Sequence, residues 1–350
     1  MRFLLIRFSS LGDIVLQTSF ASWLKSKYPD CHISFLTLKG NEALISGHPH
    51  IDELLVYEKR SGAQDFKNLY RFARQELKSK GFDILVDLHG TTRSFLTRYF
   101  LPEVHALPMD KRRFERSLLV NAKIDLLKEE QTLHDRNISD LSWAFNRTYN
   151  EEELLDFINK SFPGSRSLTT SSVTGKFKKE NSVVIAPGAS FKPKRWPVEK
   201  FYEVALEVLS QGQANCVVVG GPEDNFCSIF DELEEKYPNR FRNLQGKLGL
   251  YESMEVVAKS SLLIGNDSLM AHVAESCSIP VFSIFGPTSQ SFGFSPRLEN
   301  SKTFSVDLWC RPCSTTGSKA CFRKKQYCMT MVSSQLVANA ALEYLEGKHV

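Results

Sequence analysis

The residues best suited to chemistry fall in short loops that follow apolar runs. Leu263-Ile264-Gly265-Asn266-Asp267-Ser268-Leu269-Met270-Ala271-His272 is the most telling of them. A strand ending at Asp267 leaves that carboxylate to cap a helix, with His272 just over one turn inside it on the same side. A lone histidine or a lone capping aspartate is usually structural, but the two in phase at one strand end favour a ligand site. Val183-Val184-Ile185-Ala186 runs into Pro187-Gly188-Ala189-Ser190-Phe191-Lys192-Pro193-Lys194-Arg195-Trp196-Pro197. This loop offers backbone N–H groups, a hydroxyl and fixed cations before a helix, as phosphate sites do; a solvated basic turn explains the loop alone equally well. In Val217-Val218-Val219-Gly220-Gly221-Pro222-Glu223-Asp224, acids behind a glycine-rich turn can reach a ribose hydroxyl, although helix-capping acids on a plain turn are commoner. Phe285-Gly286-Pro287-Thr288 follows a further apolar run. Near the start, Arg7-Phe8-Ser9-Ser10-Leu11-Gly12-Asp13 sets a carboxylate beside a glycine between the apolar run Phe3-Leu4-Leu5-Ile6 and a stretch of helical spacing.

A parallel α/β sheet would position such loops. Strands expected at 2–7, 32–37, 53–57 and 83–87 alternate with helices at 14–28, 40–46 and 65–80, a doubly wound pattern. The stretch 88–165 is less regular, with a helix expected through 140–145, and 162–172 reads as a linker. Alternation then resumes with strands at 182–186, 215–219, 242–244, 261–264 and 280–284, and helices at 197–211, 223–236, 251–259 and 268–276. Two Rossmann-like domains, 1–165 and 175–350, are therefore expected, with a cleft between them and ligands at the carboxyl ends of the strands. A last helix at about 334–346 is expected to pack back on the first domain.

Composition narrows the function classes. With 350 residues, 42% of them hydrophobic and 24% charged, the chain is that of an ordered soluble protein with large cores. A formal net charge of +4, without interleaved basic and aromatic residues, argues against nucleic acid. Basic residues nevertheless gather at 111–116 and 176–179, where solvated faces are the usual explanation and an anionic ligand or membrane surface the other. The first apolar run is too short to span a membrane or to serve as a secretory segment, so a cytoplasmic protein is expected. No G-x-G-x-x-G and no Walker A pattern occurs. No Asp-x-Asp pair occurs either; sugar transferases that use a divalent metal commonly hold it with paired carboxylates, so a metal-free mechanism fits better. Four cysteines (Cys31, Cys216, Cys227, Cys277) stand singly in apolar contexts, and four more form a C-x2-C-x7-C-x6-C series, Cys310, Cys313, Cys321 and Cys328. That series can hold a structural zinc, but it lacks a second C-x2-C knuckle, and reduced or redox-labile thiols are the favoured reading.

Taken together, RFSSLGD at the start, DLHGTTRS at 87–94, PGASFKPKRWP at 187–197, GGPED at 220–224, NDSLMAH at 266–272 and FGPT at 285–288 resemble the bacterial heptosyltransferases, glycosyltransferase family nine. The resemblance covers nearly the whole chain in the right order. It implies a GT-B fold, an ADP-heptose-like donor bound by the C-terminal domain and a lipopolysaccharide inner-core acceptor bound by the N-terminal one. It further implies that Asp13 is the general base, that Ser190 and Lys194 meet the donor phosphates, that Asp224 or Glu223 meets the ribose, and that Asp267 and His272 meet the donor sugar and diphosphate. Two departures bear on the donor: Leu269 stands where many members have glycine, and the loop before Lys194 is one residue shorter than in some. On this reading an inverting transfer needs no cofactor, Lys194, Ser190 and the helix from Ser268 stabilise the leaving diphosphate, and Arg60, Arg93, Arg112, Arg113 and Arg116 suit the acceptor's anions, since guanidinium forks match planar oxyanions. Peripheral contact with the cytoplasmic face of the inner membrane would follow from a lipid-linked acceptor. The alternatives are a nucleotide-sugar epimerase on the same architecture and a non-catalytic binding protein.

Overall fold

The computed structural model describes residues 1–109, 111–127, 181–277, 279–323 and 325–347. They fall into two compact units, 1–113 and 114–127 with 181–347.

In the first unit, five parallel strands lie in the order β3-β2-β1-β4-β5: β1 (Arg2–Ile6), β2 (His32–Leu38), β3 (Glu53–Tyr57), β4 (Ile84–Asp87) and β5 (His105–Pro108). The central strands β1, β2 and β4 are buried because helices cover the sheet, as parallel sheets require, while the edge strands β3 and β5 stay partly open. Helix α1 (Leu11–Lys27) is buried from Ile14 to Leu24. Its hydroxyls are satisfied inside the helix, Thr18 donating to the Val15 carbonyl at 2.9 Å. Ile6 of β1 pairs with Leu36 on one side and Asp87 on the other, so the loops that follow these strands start level.

The helix expected at 65–80 divides into α2 (Ala63–Phe72), a π-helical segment at Ala73–Leu77 and a 3-10 turn at Lys78–Lys80. The wider turn keeps Leu69, Ala73 and Leu77 together in the core. Part of the stretch read as irregular forms α3 (Thr92–Tyr99), β5 and α4 (Arg113–Ala122).

In the second unit, six parallel strands lie in the order β11-β10-β9-β6-β7-β8: β6 (Ser182–Ala186), β7 (Asn215–Val218), β8 (Phe241–Asn243), β9 (Leu262–Asn266), β10 (Val281–Ile284) and β11 (Lys302–Phe304). The helices are α5 (Val198–Gln211), α6 (Asp231–Lys236), α7 (Leu250–Ala258), α8 (Leu269–Ser276), α9 (Tyr327–Thr330) and α10 (Ser334–Leu345). A 3-10 turn at Asn225–Phe230 precedes α6 where a single helix was expected. In register, Ala186 pairs with Gly265 and Ile284 with Asn266, which brings the ends of β6, β9 and β10 level.

Helix α10 packs on α5 of its own unit, where Val337, Ala338 and Ala341 join the core cluster of Phe201, Val204 and Val208. Residues 114–127, inside the stretch assigned to the first domain, belong to the second unit. They are tied there by Lys123 Nζ to the Pro312 carbonyl at 2.6 Å and by the Ser291 hydroxyl to Asp125 at 2.6 Å. The helix at 140–145, the linker at 162–172 with the domain boundary, and the basic run at 176–179 lie outside the described residues. No helix among the described residues is long and apolar enough to cross a membrane.

Candidate active site

In the first unit the chemistry gathers where β1 and β4 end. Asp13 is the third residue of α1, and its carboxylate accepts from the Ser10 hydroxyl at 2.8 Å in a capping box. An Arg7 guanidinium nitrogen lies 2.5 Å from the same oxygen, while a second donates to the Leu88 carbonyl. Arg7 is buried, and the Asp13 side chain keeps 17% of its surface exposed. The loop after β4 is shaped by Asp87, which is fully buried and accepts from the backbone N–H groups of His89 (2.9 Å) and Gly90 (2.8 Å). Its other oxygen lies 3.2 Å from Arg98.

His89 then reaches the Ser9 hydroxyl at 3.3 Å and the Thr91 hydroxyl at 3.2 Å. Burial pulls its pKa down to about 3, and the Arg7 and Lys111 charges push the same way, so the imidazole is neutral at physiological pH. The Lys111 stem lies over Gly90, which has φ +56°, and a Cβ there would stand 2.9 Å from Lys111 Cε. Lys111 makes no ion pair with the described residues. Burial lowers its pKa, repulsion from Arg7 and Arg113 adds to the shift, and Asp13 and Asp87 oppose it. Sequence reasoning reached Asp13 but gave no role to Arg7, Ser10, His89 and Lys111, although RFSSLGD contains the first two, DLHGTTRS contains His89 and the basic cluster contains Lys111.

In the second unit, Lys194 and Asp267 meet at 2.7 Å, and the Thr288 hydroxyl donates to the same Asp267 oxygen at 3.0 Å. Three loops, after β6, β9 and β10, therefore converge on one carboxylate, which is 5% exposed. Asn266 fixes the first of them: its amide donates to the Pro187 carbonyl at 2.7 Å and its carbonyl oxygen accepts from the Trp196 N–H at 2.9 Å. Arg311 braces the third, donating to the carbonyls of Gly286 at 2.5 Å and Thr288 at 3.3 Å.

Asp224 is buried beside this group. It accepts from the Gly221 N–H at 3.0 Å and lies 3.5 Å from Arg195. Burial raises its pKa, the Gly221 N–H and Arg195 oppose the shift, and the exposed Glu223 reinforces it. Only glycine fits at 188, since a Cβ there would stand 2.5 Å from Asp224. Ser190 is exposed in the β6 loop, Ser268 occupies the N-cap of α8, and His272 is buried on α8 with its ring 6.1 Å from Phe294.

The five arginines do not form one patch. Arg93 holds Asp65 through two nitrogens, at 3.2 and 2.9 Å, and the Arg60 backbone N–H donates to the same carboxylate at 2.9 Å. The Arg60 side chain is exposed, 3.4 Å from Glu58. Arg113 donates to the Gly90 carbonyl at 3.1 Å, near Lys111, and Arg112 sits in the adjoining turn with φ 47°. Arg116 belongs to the second unit, where it donates to the Phe292 carbonyl and lies 5.9 Å over Phe294, the ring that His272 also meets.

The four clustered cysteines are free thiols. Cys313 is pushed up by burial and by the neighbouring Cys310 and Cys321, and its N–H donates to the Pro287 carbonyl at 3.0 Å. Arg323 lies 3.8 Å from the Cys310 sulfur. Among the described residues no three histidine, cysteine or acidic side chains are gathered to hold a metal ion.

Two doubly wound units of parallel strands, each with functional groups at its strand ends, are the GT-B architecture. The whole chain superposes on an Escherichia coli ADP-heptose lipopolysaccharide heptosyltransferase II with a TM-score of 0.71, at 19% identity and full coverage of both chains. Against E. coli heptosyltransferase WaaC with ADP the TM-score is 0.67, at 16% identity and again full coverage of both. A lipooligosaccharide heptosyltransferase 2 of Haemophilus influenzae is 24% identical over 315 residues, covering 87% of this chain and 88% of the relative. The family model for glycosyltransferase family 9 (heptosyltransferase) matches residues 70–322, and the chain belongs to that family. The epimerase and binding-protein alternatives are not favoured.

Proposed function

We propose that the protein transfers a heptose, with inversion, from an ADP-heptose donor to a hydroxyl of the lipopolysaccharide inner core, on the cytoplasmic face of the inner membrane. Asp13 takes the proton of the acceptor hydroxyl as its oxygen attacks the anomeric carbon. The bond from that carbon to the diphosphate oxygen breaks, and ADP leaves. Lys194, Ser190 and the N-terminus of α8 stabilise the charge gathering on the diphosphate. Asp267 and His272 meet the donor sugar and diphosphate, and Asp224, with Glu223 behind it, meets the ribose. Lys111, Arg93, Arg112, Arg113 and Arg60 serve the acceptor's anionic groups. Arg116, which shares Phe294 with His272, is reassigned to the donor side. No catalytic metal takes part.

The observation that carries this reading is the convergence of Lys194, Asp267 and Thr288 from three separate loops, in a chain of a heptose-transferring family. The test is mass spectrometry of heptose-free core lipopolysaccharide incubated with ADP-heptose and EDTA. One added heptose per ADP released is expected. Sugar altered without an acceptor, or turnover lost on chelation and restored by magnesium, contradicts the reading.

A further inference from the structure

The outer side of α2 and α3 carries five adjoining rings. Phe66 and Tyr70 stand 5.3 and 5.2 Å from Phe100, Tyr99 stands 5.9 Å from it, and Phe95 lies 6.5 Å from Tyr99. Phe100 is buried, whereas Phe66, Tyr70, Phe95 and Tyr99 expose 50, 51, 53 and 69% of their surface. The pairs 66/70 and 95/99 have i,i+4 spacing, so each lies along one helix ridge. A single exposed ring is ordinary on a soluble protein, but four adjoining ones mark an interaction site.

Cations rim these rings. Lys67 and Arg71 are exposed on the neighbouring ridge of α2 and make no ion pair with the described residues. The Arg98 guanidinium lies 5.4 Å over the Phe95 ring. Arg74 and Lys78 share Glu103 at 3.3 and 3.6 Å, and Arg74 also donates to the Phe100 carbonyl. Exposed Tyr and Phe within a Lys/Arg rim match the headgroup region of an anionic bilayer, where amphipathic rings insert and basic side chains meet lipid phosphates. At the N-terminal ends of the same two helices Arg93 is joined to Asp65, and its guanidinium lies 5.8 Å over Phe8 in the loop that leads to Asp13.

We propose that the outer face of α2 and α3 docks on an anionic phospholipid bilayer, seating the first unit where a lipid-linked acceptor presents its sugar. This rests on the acceptor reading above. The test sediments the full chain, without donor or acceptor, with vesicles of phosphatidylcholine alone or mixed with phosphatidylglycerol. Wild type is expected to bind the mixed vesicles, less so at high salt, and to ignore the neutral ones. Tyr70→Ser with Tyr99→Ser, and separately Lys67→Glu with Arg71→Glu, should each weaken that binding at least tenfold while turnover on a lipid-free core oligosaccharide stays within twofold of wild type. Equal binding by the variants, or none by wild type, overturns the proposal, as does a concentration-dependent dimer that the ring variant abolishes. A chain that binds the mixed vesicles but transfers no heptose fails the transferase reading alone; one that transfers heptose but binds no vesicle fails the docking proposal alone.

Discussion

Asp13 and Asp267 both stand at the mouth of a helix that follows a parallel strand, and both are paired with a cation, yet their surroundings differ. Asp13 keeps 17% of its side chain in solvent, and its partners are a capping hydroxyl and an arginine that is itself committed to the Leu88 carbonyl. Asp267 is 5% exposed and closed in by Lys194 and Thr288. A carboxylate that must receive a proton needs an open side, whereas one that aims a lysine is best enclosed. On the proposed function this contrast suits proton transfer in the first unit and control of the leaving group in the second.

The largest effect should come from Asp13→Asn. The amide keeps the side chain's shape but cannot take the proton, so turnover per folded molecule should fall roughly 10²–10⁴-fold, and because the buried Arg7 loses its counter-charge the melting temperature should fall as well. A variant retaining a tenth of wild-type turnover would reduce Asp13 to a cap and erase the contrast. Next comes Lys194→Ala, which on the proposed function removes a charged contact to the diphosphate; ADP-heptose affinity, read by calorimetry, should weaken about 10–100-fold, in keeping with ~1.5–3 kcal/mol for such bonds. Unaltered affinity would take that loop out of the donor site.

His89 gives a pH signature confined to the first unit. Its folded pKa of about 3 lies below the ordinary 6.5, so the unfolded chain binds the extra proton first, and stability is lost as pH falls from 6.5 toward 3. At pH 5 that loss amounts to about 2 kcal/mol relative to neutral pH, and His89→Gln should remove it, flattening the urea midpoint between pH 7 and 5. An unchanged slope would mean that His89 is not the buried neutral group described. The smallest effect belongs to Arg60→Ala, whose solvent-screened pair with Glu58 should leave the thermal melt unchanged.

The strand–helix alternation that sets both sheets was legible because buried parallel strands read as unbroken apolar runs, as Val183 to Ala186 does. Asp13, Lys194, Asp224 and Asp267 were legible because they sit at the ends of such runs. The short edge strands β5 and β11 were not, since they lie in irregular stretches where three or four residues carry too little period, whereas the equally short β8 follows a helix in the regular alternation. Neither was the Lys111–His89 group: it depends on Lys111 folding over Gly90, a contact between separate loops that no local spacing encodes. Arg116 was read with the other basic residues of its stretch, whereas packing against Phe292 and Phe294 assigns it to the other unit.

The most direct test of the division of labour is a calorimetric titration of ADP-heptose into Asp13→Asn and Lys194→Ala, with single-turnover rates measured on the same preparations. Asp13→Asn should bind the donor as wild type does and transfer almost none of it, while Lys194→Ala should lose affinity. Equal loss of donor affinity in both variants would contradict the assignment of proton transfer to one unit and the leaving group to the other.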